Sequence, residues 1–153
     1  MTNVIVRHDI TYVGKIWLHN SEAIKDFIEA LLAYNRQGKK AVLNIYTGTS
    51  VQALSSLGII QSESVIIHPP VNNSEIPSIL SASGALLLPI SVNKAAAAFA
   101  KYSMSTKMGE YMAARRPVIY YGPENIAMIE LIQKEKTALC VTNRDCKLSL
   151  IHI

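Results

Sequence analysis

The sequence predicts an α/β domain: a single Rossmann-like parallel sheet of about six strands with helices on both faces. Short aliphatic, β-branched or aromatic runs, bounded by Gly, Pro and Asn, alternate along the chain with segments of helical periodicity. Parallel strands need crossover connections, which the intervening helices supply. At 153 residues the chain has room for one such unit and not two, and its 50% hydrophobic content provides a core that needs no disulfide staples. Residues 1–153 are therefore expected to form one domain, with 142–153 an atypical or truncated tail.

Ile10–Gly14 reads as a first buried strand ending in glycine. Between about Ser21 and Arg36, Ile24, Phe27, Ile28, Leu31 and Leu32 recur at the spacing of one apolar helical stripe, with Ser21 available as a cap and Gly38 as a stop. Ala41–Tyr46 is the next strand, and Val51–Leu57 a short helix stopped by Gly58. Ser64–His68 is the third strand, which Pro69-Pro70 prevents from continuing because proline has no amide donor. A helix from about Glu75 to Ser83 and a strand over Ala85–Leu88 follow. The segment Ile90–Tyr102, with its alanine run, stays unassigned. A helix from about Ser105 to Ala114, a strand over Pro117–Tyr121, a helix from about Pro123 to Lys134 and a strand over Ala138–Val141 complete the pattern.

Composition excludes several classes. Lys and Arg (15) exceed Asp and Glu (11), a net charge of +4 that suits a phosphate-bearing ligand or an anionic surface. The basic residues are scattered and do not interleave with aromatics, so no nucleic-acid partner is expected. Cys140 and Cys146, the only cysteines, lack the paired spacing of a zinc site and read as reduced cytosolic thiols. His8, His19, His68 and His152 are dispersed, so no metal site is expected. Arg7, His8 and Asp9 interrupt any export signal, and polar residues break both uncharged stretches, so neither a leader nor a membrane span is read. Ser103 and Ser105 lie in no GxSxG elbow.

Open parallel sheets bind ligands beyond the carboxyl ends of their strands, which points to the loops beginning at Gly14, His68, Leu88 and Tyr121. Neither GxGxxG nor GxxxxGK[ST] is present, which excludes the usual dinucleotide and P-loop sites. The informative stretch is YSMSTKMGEYMAARRPVIYYG, Tyr102–Gly122. On a helix starting near Ser105, Lys107 and Glu110 share one face while Met108, Tyr111 and Met112 form the apolar one. The unpaired amides of a first helical turn favour an anion, and Lys107 adds a positive charge. Glu110 is placed to accept hydrogen bonds from vicinal hydroxyls. An ordinary solvent-facing Lys-Glu pair is the simpler account of the spacing alone. Met104, Met108 and Met112 read as core packing.

STKMGEYMAARRPVIYYG resembles the signature helix-strand segment in the C-terminal, donor-nucleotide-binding domain of GT-B fold, GT4-like retaining glycosyltransferases. YVGK at Tyr12–Lys15 is similar to the glycine loop of that domain, and SVIIHPPVNNSEIPSILSASGALLLP to its third strand, loop, helix and fourth strand. The resemblance spans about Ile10–Val141 and implies half of a GT-B fold. It implies a UDP- or GDP-sugar as donor substrate, no further cofactor, and transfer of a glycosyl group to an acceptor hydroxyl, as in polysaccharide biosynthesis. Carried over residue by residue, Glu110 binds the donor ribose. Ser105, Thr106 and Lys107 hold the diphosphate at the helix start, Gly14 forms the loop, and Lys15 and Lys107 serve catalysis. His68, Pro69 and Val71 lie in the nucleobase loop.

Two positions depart from the pattern. Tyr102, assigned to the donor site, stands where many relatives carry the first of two glutamates, and Asn20 replaces a second basic residue after the glycine loop. The resemblance also implies an N-terminal Rossmann-like domain for the acceptor, missing here, without which the isolated chain is expected to be inactive. A cytoplasmic location is expected, with peripheral association at the inner membrane face as its membrane-linked form. The alternative is a non-catalytic module that binds a nucleotide or phosphometabolite and docks on a partner, with Tyr120-Tyr121 among its interface residues.

Overall fold

A computed structural model of the protein describes residues 9–18, 20–91, 106–123 and 138–141. Six strands form one sheet: β1 (Asp9–Val13), β2 (Val42–Tyr46), β3 (Val65–His68), β4 (Ala85–Pro89), β5 (Val118–Tyr121) and β6 (Ala138–Val141). Every neighbouring pair is parallel and the order is β3-β2-β1-β4-β5-β6, a doubly wound sheet whose order reverses beside β1. Four helices lie among the described residues: α1 (Ser21–Asn35), α2 (Val51–Ser56), α3 (Ile76–Ala82) and α4 (Thr106–Ala114). A 3-10 turn, Asn73–Glu75, leads into α3. The expected helix over 123–134, the tail 142–153 and most of the unassigned 90–102 segment lie outside the described residues.

Strand alternation divides the core in two. On β4, Ala85 and Leu87 join the layer beneath α1 and α2, while Leu86 and Leu88 join the layer on the opposite face. On β5, Ile119 and Tyr121 face the first layer, and Val118 and Tyr120 the second. Successive side chains of a strand point to opposite faces, so a strand buried on both reads as one continuous apolar run. The α1 stripe that packs on the first layer is Ala23, Ile24, Phe27, Ala30 and Leu31. Asn35 staples the end of α1 to the start of β2. Its Oδ1 accepts from the Ala41 amide at 2.8 Å, and its Nδ2 donates to the Ala41 carbonyl and Ser64 Oγ, each at 2.9 Å.

Three expectations are corrected. The residue preceding α1 is Asn20, and Ser21 is already helical; the Asn20 side chain turns back into the preceding loop instead of capping the helix. Met112 is 44% exposed, because α4 is only nine residues long and buries Met108 and Tyr111 alone of its expected apolar face. Tyr120 and Tyr121 are fully buried and offer no interface. They belong to a strand flanked on both sides, and their hydroxyls donate to the Pro123 carbonyl and to Asp26 Oδ2 respectively, each at 2.9 Å.

Candidate functional site: the loop at the carboxyl end of β1

β1 and β2 pair over five positions, Asp9↔Val42 to Val13↔Tyr46, whereas β1 and β4 pair only at Ile10↔Ala85 and Thr11↔Leu86. Beyond Thr11 this ladder ends. The point where strand order reverses is where open α/β sheets receive ligands.

The loop after β1 is held by side chains. The Gly14 amide extends the ladder by donating to the Tyr46 carbonyl at 2.9 Å. The Ile16 amide donates to Thr49 Oγ1 at 3.0 Å, and the Trp17 amide to Asn20 Oδ1 at 3.0 Å. The Tyr12 hydroxyl donates to the Lys15 carbonyl at 2.6 Å. Asn20 Nδ2 reaches both that hydroxyl, at 2.8 Å, and the Lys15 carbonyl, at 3.0 Å. Burial pushes the Tyr12 phenol well above its ordinary pKa, with the Asn20 hydrogen bond acting the other way. It is a proton donor at all ordinary pH.

α4 delivers Lys107 to this loop. Its ammonium lies 5.6 Å from the centroid of the Tyr12 ring, within cation-π range. It also occupies the space a side chain at Gly14 would need: a Cβ there would collide with Lys107 Nζ and Cε and sit 3.2 Å from the Tyr12 hydroxyl. Gly14 has φ +147°, a region L side chains rarely adopt, so glycine serves both the backbone shape and the approach of Lys107. Burial lowers the Lys107 pKa, and the nearby Glu110 carboxylate opposes that shift.

Glu110 is exposed on α4 and lines a pocket of about 200 Å³ between α3 and α4, whose other walls include Asn73, Ile76, Pro77 and Leu80. One helix thus brings a cation to the glycine loop and, a turn later, a carboxylate to the pocket against α3. The cation suits a phosphate and the carboxylate suits hydroxyls.

Of the other expected site residues, Lys15 is exposed on the loop. Tyr102, Ser105 and the side chain of Thr106 lie outside the described residues. His68 is half-buried at the end of β3. Its ring stacks on Tyr46 (centroids 4.2 Å apart, planes 7° apart), and its Nε2 is 2.9 Å from Asn44 Oδ1. Pro69 is exposed beside it and Val71 is half-buried. Sequence reasoning missed Tyr12, Asn20 and Thr49 as loop-forming residues. Asn20 alone gave a signal, as a small amide where a charge was expected; Tyr12 looks like any core aromatic. Among the described residues no group of three or more His, Cys, Asp or Glu could hold a metal ion. No described helix is long and apolar enough to cross a membrane.

A doubly wound parallel sheet, with Lys107 set against the glycine loop at its switch point, defines the class: a Rossmann-like domain. Residues 7–151 match the family model described as glycosyl transferases group 1, and the chain belongs to that family. Comparison with curated proteins gives no significant match in sequence. Among solved structures, the chain is similar in fold to the trehalose-6-phosphate synthase OtsA, with TM-score 0.64 and 14% identity over 96% of this chain and 35% of that one. It is similar to TarM at TM-score 0.66 and 11% identity, over 99% of this chain and 28% of that one. It is also similar to WaaG, a glycosyltransferase involved in lipopolysaccharide biosynthesis, at TM-score 0.59 and 14% identity, over 93% of this chain and 36% of that one. These are GT-B glycosyltransferases, and the α/β sheet here matches a Rossmann-like half of that fold. The chain spans about a third of the length of these proteins.

Proposed function

We propose that this chain is the donor-binding domain of a GT4-like retaining glycosyltransferase, taking a UDP- or GDP-sugar and requiring no further cofactor. The observation that carries the reading is the meeting of Lys107 with the Gly14 loop at the β1 switch point, with Glu110 one turn further along the same helix. In this reading the diphosphate lies against Lys107, Lys15 and the first-turn amides of α4. The ribose hydroxyls bind Glu110, and the base enters the neighbouring pocket near the loop that begins at His68, Pro69 and Val71. A TarM variant from S. aureus in a complex that includes UDP is among the similar folds, at TM-score 0.63 and 12% identity over 100% of this chain and 30% of that one.

In the reaction the bond between the anomeric carbon and the diphosphate oxygen breaks. The acceptor hydroxyl oxygen takes that carbon and gives up its proton, and the nucleoside diphosphate leaves with one more negative charge. Lys107 and Lys15 are set where that charge develops, and fixed charges of this kind supply much of the rate in such chemistry. The acceptor binds on a second Rossmann-like domain, so the 153-residue chain alone is inactive. The work is done in the cytoplasm, at the inner membrane face if the acceptor is lipid-linked.

Titration calorimetry with UDP, GDP and their sugars tests the donor assignment; binding of none of them refutes it. Sugar transfer by the isolated chain to any acceptor refutes the requirement for a second domain. A chain that binds the nucleotide but never transfers, even with an acceptor domain supplied, is the non-catalytic module instead.

A further inference from the structure

Three of the amides in the loop after β1 are engaged within the protein: Gly14 with the Tyr46 carbonyl, Ile16 with Thr49 Oγ1 and Trp17 with Asn20 Oδ1. The Lys15 carbonyl receives two donors, the Tyr12 hydroxyl and Asn20 Nδ2. The Lys15 carbonyl and the Ile16 N–H are the two trans edges of one planar peptide, so this unit is gripped on both sides, by Tyr12 and Asn20 at the oxygen and by Thr49 Oγ1 at the amide. Tyr12 therefore does two things at once. Its hydroxyl fixes the Lys15 carbonyl, and its ring lies under the Lys107 ammonium.

We propose that Tyr12 and Asn20 are positioning residues, one hydrogen-bonded unit that fixes the Lys15–Ile16 peptide so that Lys15 and the Lys107 ammonium converge on the diphosphate of the donor. This rests on the donor-nucleotide reading above. Asn20 is buried (9% exposed), too far inside to meet a ligand as a charge, and all of its side-chain hydrogen bonds go to the loop and to Tyr12. It acts through peptide geometry. The loop thus holds an uncharged hydrogen-bonded clamp where a second basic side chain was anticipated from the resemblance.

The test uses the purified 153-residue chain and two kinds of probe: UDP and GDP, and the matching nucleosides uridine and guanosine, which lack the diphosphate. Tyr12→Phe keeps the ring beneath Lys107 and removes the hydroxyl, and Asn20→Ala removes the amide. Each variant is expected to bind the nucleoside diphosphate about five-fold more weakly, the scale of one lost hydrogen bond, with nucleoside affinity unchanged. The double variant is expected to be no weaker than the weaker single one, because the two residues form one unit. Thermal melting accompanies each measurement, and Tyr12→Phe is the mild change if Asn20→Ala fails to fold. Equal losses for nucleoside and nucleoside diphosphate would mean general damage and overturn the positioning role. Unchanged affinities, or losses that add in the double variant, would overturn it too. Failure of the unmodified chain to bind UDP or GDP would instead remove the donor-nucleotide reading on which the proposal stands.

Discussion

Replacing Gly14 with alanine probes the backbone shape and the cation at once. At φ +147° an L residue carries backbone strain of about 1–3 kcal/mol. The new methyl group would also fall on Lys107 Nζ and Cε. Those are the far atoms of a flexible chain, so the clash is relieved by swinging the ammonium away from the Tyr12 ring and out of the loop. The energetic cost of the substitution is thus mostly backbone, and the functional cost is the displaced charge. For a domain of this size the strain corresponds to a fall in Tm of about 2–12 °C, at roughly 2–4 °C per kcal/mol. Gly38→Ala is the control. Its φ of +85° also penalises alanine, but a Cβ there meets nothing within 4 Å. Both variants should melt lower in calorimetry or by circular dichroism, and only Gly14→Ala should lose UDP or GDP binding. A Gly14→Ala protein that melts and binds like the unmodified chain would refute the reasoning, as would equal ligand loss in both.

Glu110→Ala should weaken nucleoside diphosphate binding by about 1.5–3 kcal/mol while leaving Tm nearly unchanged, because the side chain is exposed and its role is with ligand hydroxyls; calorimetry and melting read the two effects separately. Lys107→Met should melt at or above the unmodified chain yet bind the diphosphate more weakly. The folded chain holds the Lys107 proton less tightly than the unfolded one does, so its contribution to stability rises with pH between the two pKa values, while anion affinity falls over the same interval. Melting temperature and Kd measured against pH in both proteins check these opposite signs. Ser83→Ala removes a buried hydroxyl 2.7 Å from Thr11 Oγ1 and 2.8 Å from the Ile79 carbonyl oxygen, and should cost about 1–3 kcal/mol in denaturant unfolding without altering ligand affinity.

The strands were legible because burial on both faces forces unbroken apolar runs such as Ala85–Pro89 and Val118–Tyr121, and each run is punctuated by Gly, Pro or Asn. α1 was legible because Ile24, Phe27 and Leu31 repeat with the helical period and end up buried. Lys107 and Glu110 were legible as a pair on one face. That Lys107 would lie against Gly14 was not, since the two come from crossovers on opposite sides of the switch point and meet only once β1 and β4 are neighbours. The fate of Asn20 was hidden for a similar reason. Its cap position was readable one residue off, but its turn toward Tyr12 depends on a loop shape that no local pattern encodes. Likewise, the stacking of His68 on Tyr46 follows from the register of β2 against β3, with the two residues directly opposite.

The short seam between β1 and β4 also shapes how the domain is assembled. A ribosome releases β1, β2 and β3 in the order in which they pair, so that half of the sheet can zip up as it emerges, with one margin of β1 bare. The strand that covers this margin, β4, arrives only after α2, β3 and α3 have been made, and then joins through two residue pairs. Closure across so long a stretch of chain is the slow step in parallel topologies. The seam proposed to receive the ligand is therefore also the one join in the sheet between strands that are not consecutive in the chain, and a ligand spanning both sides of it would lock that join as it binds.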